Sequence, residues 1–397
     1  MTMDIKRPLF SLKAIGTILF LLLSLSALVG CGVNPVTGKS ELQFISQQKE
    51  IELGKKNYLP LQQSQGGEYV IDPELRAYVS RVGQKVAAVA DRKLPYEFVV
   101  INSSVPNAWA LPGGKIGINR GLLIELESEA ELAAVLGHEV VHAAARHSAK
   151  QMEKGTLFSA GLIILGATQS DKEYGKAVMG AGMVGTALLT QKHSRDAELE
   201  ADHYGIRYMV KAGYDPHAAV KLQQTFVRLS EGKQANWLEG LFASHPPSPQ
   251  RVEENRKYAK QLSRPGLFTG KAIYQKKIAG IKANKAAYKD FAEARKALKN
   301  KNYQQALSLA DKAIAKERRE GFFYALKGDI YQAKKDYPAA IKQYNKAVTQ
   351  NQNLFYFYLQ RGLTHKAAGN KTKARQDLEK SNRLLPTKLA TDALRAL

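Results

Sequence analysis

Three stretches in the C-terminal part of the chain repeat at a fixed interval. Ala294, Gly328 and Gly362 lie 34 residues apart, as do Asn302, Asp336 and Asn370, and again Ala306, Ala340 and Ala374. Ala313, Ala347 and Ser381 keep the same register. A period of this length is one pair of antiparallel helices, and small residues at fixed places let the two helices pack closely. One pair cannot bury its apolar face alone, whereas three in series can. The spacing therefore predicts an α-solenoid over residues 285–397. Pro386 closes the third unit, while Arg318 and Gln352 stand in the equivalent places of the first two.

The period resembles the tetratricopeptide repeat. Aromatics cluster at Phe322, Phe323 and Tyr324 and from Phe355 to Tyr358. Most belong in helix cores, and some should line the concave groove where peptides bind. The repeats hold 24 Lys and Arg against 10 Asp and Glu, and the whole chain carries +23. That excess favours an acidic protein surface or lipopolysaccharide as partner. Nucleic acid is not expected as a partner of an exported chain.

Export is written into the start. Lys6, Arg7 and Lys13 precede an uncharged apolar run at 14–30, the pattern of a secretory signal. The run ends in Leu28-Val29-Gly30-Cys31, which resembles a bacterial lipobox, whose cysteine becomes the lipidated first residue. Cys31 is the only cysteine of 397 residues, which excludes an intrachain disulfide and a cysteine-based metal knuckle. The expectation is a signal peptide at 1–30, a lipidated tether at 31–45 and an anchored protein facing the periplasm, on the outer membrane given Gly32. The alternative is an uncleaved single span. No other run is long enough to cross a bilayer, which excludes a polytopic membrane protein.

The chemistry lies between. Residues 128–150 read as one helix with a Ser128–Glu131 capping box. It contains His138-Glu139-Val140-Val141-His142. Positions i and i+4 share a helix face, so both imidazoles can grip one metal ion, with Glu139 placed as general base. A second helical run holds Glu198 and Asp202 at the same spacing, and a carboxylate from it would complete a two-histidine, one-glutamate zinc site. Glu200 should face away, His203 competes as a ligand, and His147 and His193 lie off the ligand spacing. Upstream, two short extended runs flank Pro112-Gly113-Gly114, a hairpin signal.

His138 to His142, then Glu198 to Asp202, with Asn107-Ala-Trp-Ala-Leu-Pro-Gly-Gly upstream and Ser244-His245-Pro246 downstream, resemble the HtpX/BepA group of zinc metallopeptidases, which are gluzincins. The resemblance covers roughly residues 45–262. It implies a mainly α fold with a small β-sheet: a gluzincin-type metalloprotease domain at 46–262, a linker at 263–284 and the repeat solenoid after it. It implies one zinc per chain on His138, His142 and Glu198, and Glu139 as catalytic base. Asp202 would donate a proton or orient His138. His245 would either stabilise the oxyanion or occupy the metal's open position, and Arg251 would pair with an acid near the site. The stretch Asn107 to Ile118, with Pro112, Gly113 and Gly114, would offer an edge strand to a substrate backbone. The Gly-rich segment 151–193 would be a helical hairpin or a mobile cover. The function implied is degradation of misfolded or misassembled outer-membrane proteins. A chaperone-like role would run through contacts between the repeats and the assembly machinery. The alternative is a scaffold or chaperone in which proteolysis is secondary.

Overall fold

The computed structural model describes residues 31–154, 193–231 and 245–397. The expected export signal at 1–30 lies outside them, as does most of the expected cover.

The described part of the chain begins with a hairpin, β1 (Cys31–Val33) antiparallel to β2 (Ser40–Leu42), where the expectation is a lipidated tether. The correction has a physical cause. Asn34 is fully buried, and its side-chain oxygen accepts from the Val36 and Thr37 amides at 2.9 and 3.2 Å, closing an Asx turn. Its amide nitrogen donates to Glu41 at 3.0 Å and Glu200 at 3.4 Å. The Phe44 and Ile45 amides both donate to Glu153 at 2.9 Å. Residues that read as loop-formers are here spent on docking.

Helix α1 (Gln47–Ser64) is capped by Ser46, and α2 (Pro73–Ala87) by Asp72 with Pro73 in its first turn. A three-stranded sheet follows, in the order β3-β5-β4. In it β3 (Glu97–Ile101) runs parallel to β5 (Lys115–Asn119), and β4 (Ala108–Leu111) runs antiparallel to it. The turn between β4 and β5 is the predicted one. Gly113 and Gly114 take φ of 76° and 88°, which glycine adopts without strain. Short α3 (Arg120–Glu125) leads into α4 (Glu129–Ala144). Around α4 pack α2, β4, α5 (Arg195–Lys211) and α6 (His217–Glu231), with α7 (Pro249–Leu262) against α5 and α6. Helix α4 is the centre of the domain: Leu136, Val140, Val141 and Ala144 are all 0% exposed.

Residues 263–284 form no free linker. They contain α8 (Lys271–Lys277) and α9 (Ala279–Ala283). Tyr274, Ile278 and Ile281 are fully buried in the apolar core that also holds α4. The Tyr274 hydroxyl donates to the Leu123 carbonyl at 2.7 Å. That core runs on into the solenoid through Tyr288, Ala313 and Phe323.

The repeats pair α10 (Lys285–Lys299) with α11 (Tyr303–Lys316), α12 (Gly321–Ala333) with α13 (Tyr337–Gln350), and α14 (Phe355–Ala367) with α15 (Lys371–Leu384). Helix α16 (Lys388–Arg395) covers the last pair. The periodic Ala294, Ala306, Ala340 and Ala374 are 0% exposed, and a Cβ on Gly328 would fall 2.5 Å from the Tyr344 ring. Small side chains therefore sit at the helix crossings, as the period implied. Among the described residues no helix is long and apolar enough to cross a membrane.

Candidate metal centre

The centre forms where α4 and α5 cross. Gly137 and Gly205 meet at the crossing, and a Cβ on Gly205 would lie 3.0 Å from the His138 backbone nitrogen. Two missing side chains let the helices approach until His138 and His142 face Glu198 and Asp202. Ser128 starts α4 by accepting the Glu131 amide at 3.2 Å, while Glu131 accepts the Glu127 amide at 2.8 Å.

His138 Nε2 lies 3.0 Å from His142 Nε2 and 3.4 Å from Glu198 Oε2. His142 Nε2 is 3.4 Å from Glu198 Oε1. His245, just before α7, brings Nδ1 to 3.3 Å from His138 Nε2 and 3.1 Å from Glu198 Oε1. One donor atom from each of the four falls within 4.8 Å of the others. Ligands at about 2.0–2.2 Å from a tetrahedral ion stand roughly 3.3–3.5 Å apart, so three imidazoles and a carboxylate fit one divalent metal. The local charges favour a cation. Burial disfavours a charged His138, yet Glu198 and Asp202 outweigh it and push its pKa up to about 10. Burial and the nearby His193 hold His142 well below its usual value, neutral and able to donate a lone pair.

A second ring of residues fixes the first. His138 Nδ1 is 2.9 Å from Asp202 Oδ1. Arg251 donates from Nε and Nη2 to the two Asp202 oxygens, each at 2.7 Å, and its Nη1 lies 2.9 Å from Glu198 Oε2. Burial raises the Asp202 carboxyl, but the Arg251 guanidinium outweighs it and holds the pKa below the carboxylate range. Asp202 is thus an ionised acceptor on both oxygens.

His142 has its own support, which the sequence reading missed. Its Nδ1 is 2.7 Å from His147 Nδ1, and His147 Nε2 is 3.2 Å from Glu200 Oε1. One proton assignment satisfies the whole row. His142 donates Nδ1–H to His147, His147 donates Nε2–H to Glu200, and His142 Nε2 keeps its lone pair for the metal. Glu200 does face away from the centre, as expected, yet it still acts on it through His147.

A continuous helix would not bring His147 back, and the expected helix to residue 150 in fact stops at Ala144. Arg146 then takes φ of 62°, a strained left-handed turn for a bulky residue. Its guanidinium is locked by Glu50 at 2.6 Å, Glu153 at 2.9 Å and the Ile45 carbonyl at 2.8 Å. His193 is also placed at the centre, stacked on His142 with ring centroids 4.0 Å apart. His203 is no ligand: it stacks on Tyr258, with centroids 3.7 Å apart.

Glu139 is 2% exposed. Burial raises its carboxyl pKa, with His245 and His138 pulling the other way. Its Oε1 is 3.6 Å from His245 Nε2, and among the described residues its Oε2 has no hydrogen-bond partner. A cavity of about 30 Å³ beside His138, Glu139 and His245 reaches Ala108 at the start of β4, room for roughly two waters.

The upstream motif divides. Among the described residues the Asn107 side-chain oxygen is buried without a partner next to Ala108, and β4 is a sheet edge, whereas β5 lies between two strands. Pro112, Gly113 and Gly114 are buried under α1 and do not reach the centre. A Cβ on Gly113 would lie 2.6 Å from the Ile51 Cα, and one on Gly54 only 2.0 Å from the Pro112 carbonyl oxygen. The turn seats the sheet on α1, which corrects its expected contact with substrate.

Residues 73–259 match the model of Peptidase family M48, and residues 328–369 that of a TPR repeat. The chain is 34% identical over 199 residues to the putative beta-barrel assembly-enhancing protease of Vibrio cholerae, covering 48% of this chain and 40% of that one. It is 28% identical over 237 residues to the beta-barrel assembly-enhancing protease of Escherichia coli, covering 57% and 47%. It is 36% identical over 179 residues to the mitochondrial metalloendopeptidase OMA1 of Schizosaccharomyces pombe, covering 45% and 51%. The chain thus spans about half the length of each of these relatives or less.

Proposed function

From the match of residues 73–259 to Peptidase family M48 we propose that the chain is a zinc endopeptidase of the bacterial cell envelope, acting on misfolded or misassembled outer-membrane proteins. The observation that supports this most is the convergence of His138, His142 and Glu198 on one point with Glu139 beside it. Zinc held there would supply Lewis acidity, polarising a scissile carbonyl and making water nucleophilic near neutral pH. Glu139 would take the proton from that water. Asp202, pinned by Arg251, would orient His138, and His147 with Glu200 would orient His142. The β4 edge would pair with an extended substrate backbone, a mode that suits unfolded chains of loose sequence preference.

The test is direct. Purified protein should carry one zinc per chain and cleave unfolded casein, and His138→Ala with His142→Ala should lose both. Full zinc in that double variant would sink the assignment. His147→Ala should weaken zinc binding by about 10- to 100-fold, the usual cost of removing a ligand's outer partner, in a competition titration with a chelating dye. Unchanged affinity would mean that His147 only fills space.

His245 holds Nδ1 at ligand distance and Nε2 toward Glu139, and this favours restraint over oxyanion stabilisation. With His245 as fourth ligand no coordination site remains for the reaction. His245→Ala should therefore raise cleavage of an unstructured peptide by zinc-loaded protein. A fall of about 10²-fold or more would assign His245 to the transition state instead.

A scaffold or chaperone role draws support from a cleft of about 410 Å³ between the sheet domain and the solenoid. Tyr288, Phe291, Phe322 and Tyr356 line it with Arg120 and Asp329, a surface suited to polypeptide. The two roles are compatible. Complementation of a deletion by the Glu139→Gln protein would favour the scaffold.

A further inference from the structure

Val33, Leu42 and Phe44 are 60%, 50% and 42% exposed, although each is a large apolar side chain. Side chains of a strand alternate between its faces, and directly paired residues of an antiparallel hairpin share one face. The register pairs Val33 with Ser40 and Gly32 with Glu41. Val33 and Leu42 therefore share the outward face, and Phe44 continues the same alternation. Glu41 lies on the opposite face, where it meets Lys150 at 2.7 Å and Asn34 at 3.0 Å. The polar face of the hairpin is fastened to the catalytic domain, and the apolar face is left in solvent.

What covers that face is indicated by the chain just before it. The apolar run 14–30 leads directly into residue 31, which the register sets opposite Leu42. The run could remain as a span, or acyl chains on Cys31 could replace it. In either case the attachment point is two residues from Val33, within about 7 Å along the backbone. We propose that the outward face of the β1–β2 hairpin rests on the bilayer, with Val33, Leu42 and Phe44 entering the boundary between headgroups and acyl chains. This rests on the reading that the chain is membrane-attached at its N-terminal end.

The hairpin is not a leash. Through Asn34 to Glu200, and through Phe44 and Ile45 to Glu153, it is bonded to the groups that hold His147 and Arg146. A hairpin seated on lipid would therefore fix the height and tilt of the metal centre above the membrane.

The experiment places a photoactivatable phenylalanine analogue singly at Val33, Leu42, Phe44 and, as an equally exposed control, Leu389, which is 53% exposed. The full chain is expressed in a bacterial host and irradiated in isolated membranes. Phospholipid adducts are expected at the first three positions and none above background at Leu389. Palmitate incorporation measured on the same samples reports Cys31 separately. An acylated chain without lipid adducts at 33 and 42 overturns the seated hairpin while the anchor stands. Adducts on an unacylated chain keep the hairpin on lipid and discard the acyl anchor. Adducts with a protein at these positions overturn the proposal, as does the absence of both lipid adduct and acylation. Zinc content of each labelled protein verifies that the fold is retained.

Discussion

Glu139→Gln is expected to keep one zinc per chain and to lose about 10²- to 10⁴-fold in peptide hydrolysis. The substitution preserves the shape of the side chain and removes only its basicity. Glu139 is not among the four residues whose donor atoms converge, so the metal should stay. Among the described residues its Oε2 has no hydrogen-bond partner, and its Oε1 is 3.6 Å from His245 Nε2, so the amide breaks no short bond there. Burial already disfavours the charged carboxyl, which makes a neutral amide easy to accommodate. Fold and zinc are thus held constant while the proton acceptor is removed. Hydrolysis of a fluorogenic peptide by the zinc-loaded variant at the parental rate would remove Glu139 from the role of base.

Much of this centre could be read from the sequence, because its parts are short-range. The i, i+4 spacing of His138 with His142 and of Glu198 with Asp202 follows from helix geometry alone. The solenoid was legible for a similar reason, since a period repeats its packing contacts. The support around His142 was not legible. It depends on a left-handed Arg146, and nothing local marks an arginine for that conformation. The cause lies 96 residues away in Glu50, whose buried carboxylate holds the guanidinium. The hairpin at 31–42 was hidden because Asn and Gly signal a turn whether it floats or docks, and docking is decided by the distant Glu200 and Glu153. The junction at 263–284 was read as a linker because α8 and α9 are too short to show a clear period.

Arg251→Met is expected to destabilise the metal-free protein by about 3–5 kcal/mol, the cost of leaving a buried ion without its partner. Arg251 is 4% exposed and bridges Asp202 and Glu198, themselves 6% and 1% exposed. The methionine fills similar space, so loss of packing contributes little. Two carboxylates would then face each other across a dry site, and one would take up a proton. The Asp202→Asn, Arg251→Met double variant relieves part of that repulsion. Its cost should fall short of the sum of the single costs, by more than the ~0.5 kcal/mol within which independent sites add. Urea denaturation of the four proteins reads this directly. A cost below about 1 kcal/mol for Arg251→Met would place the pair with weak surface bridges.

The core that holds α4 does not end with the catalytic domain. It takes in Tyr288, Ala313 and Phe323. Across the same boundary Arg120 lies over the Tyr288 ring at 3.2 Å, Asn102 donates to Glu320 at 2.9 Å and Gln63 donates to the Asn353 carbonyl at 2.8 Å. A chain cut short within the first two repeats would leave these surfaces raw and the shared core open at that end. Premature termination or nicking there is then expected to yield an inert fragment, not a free-standing form of the proposed hydrolase. The proposed activity would in this sense be tied to synthesis past the first repeats, because a molecule without them has the core of its metal-binding domain laid open.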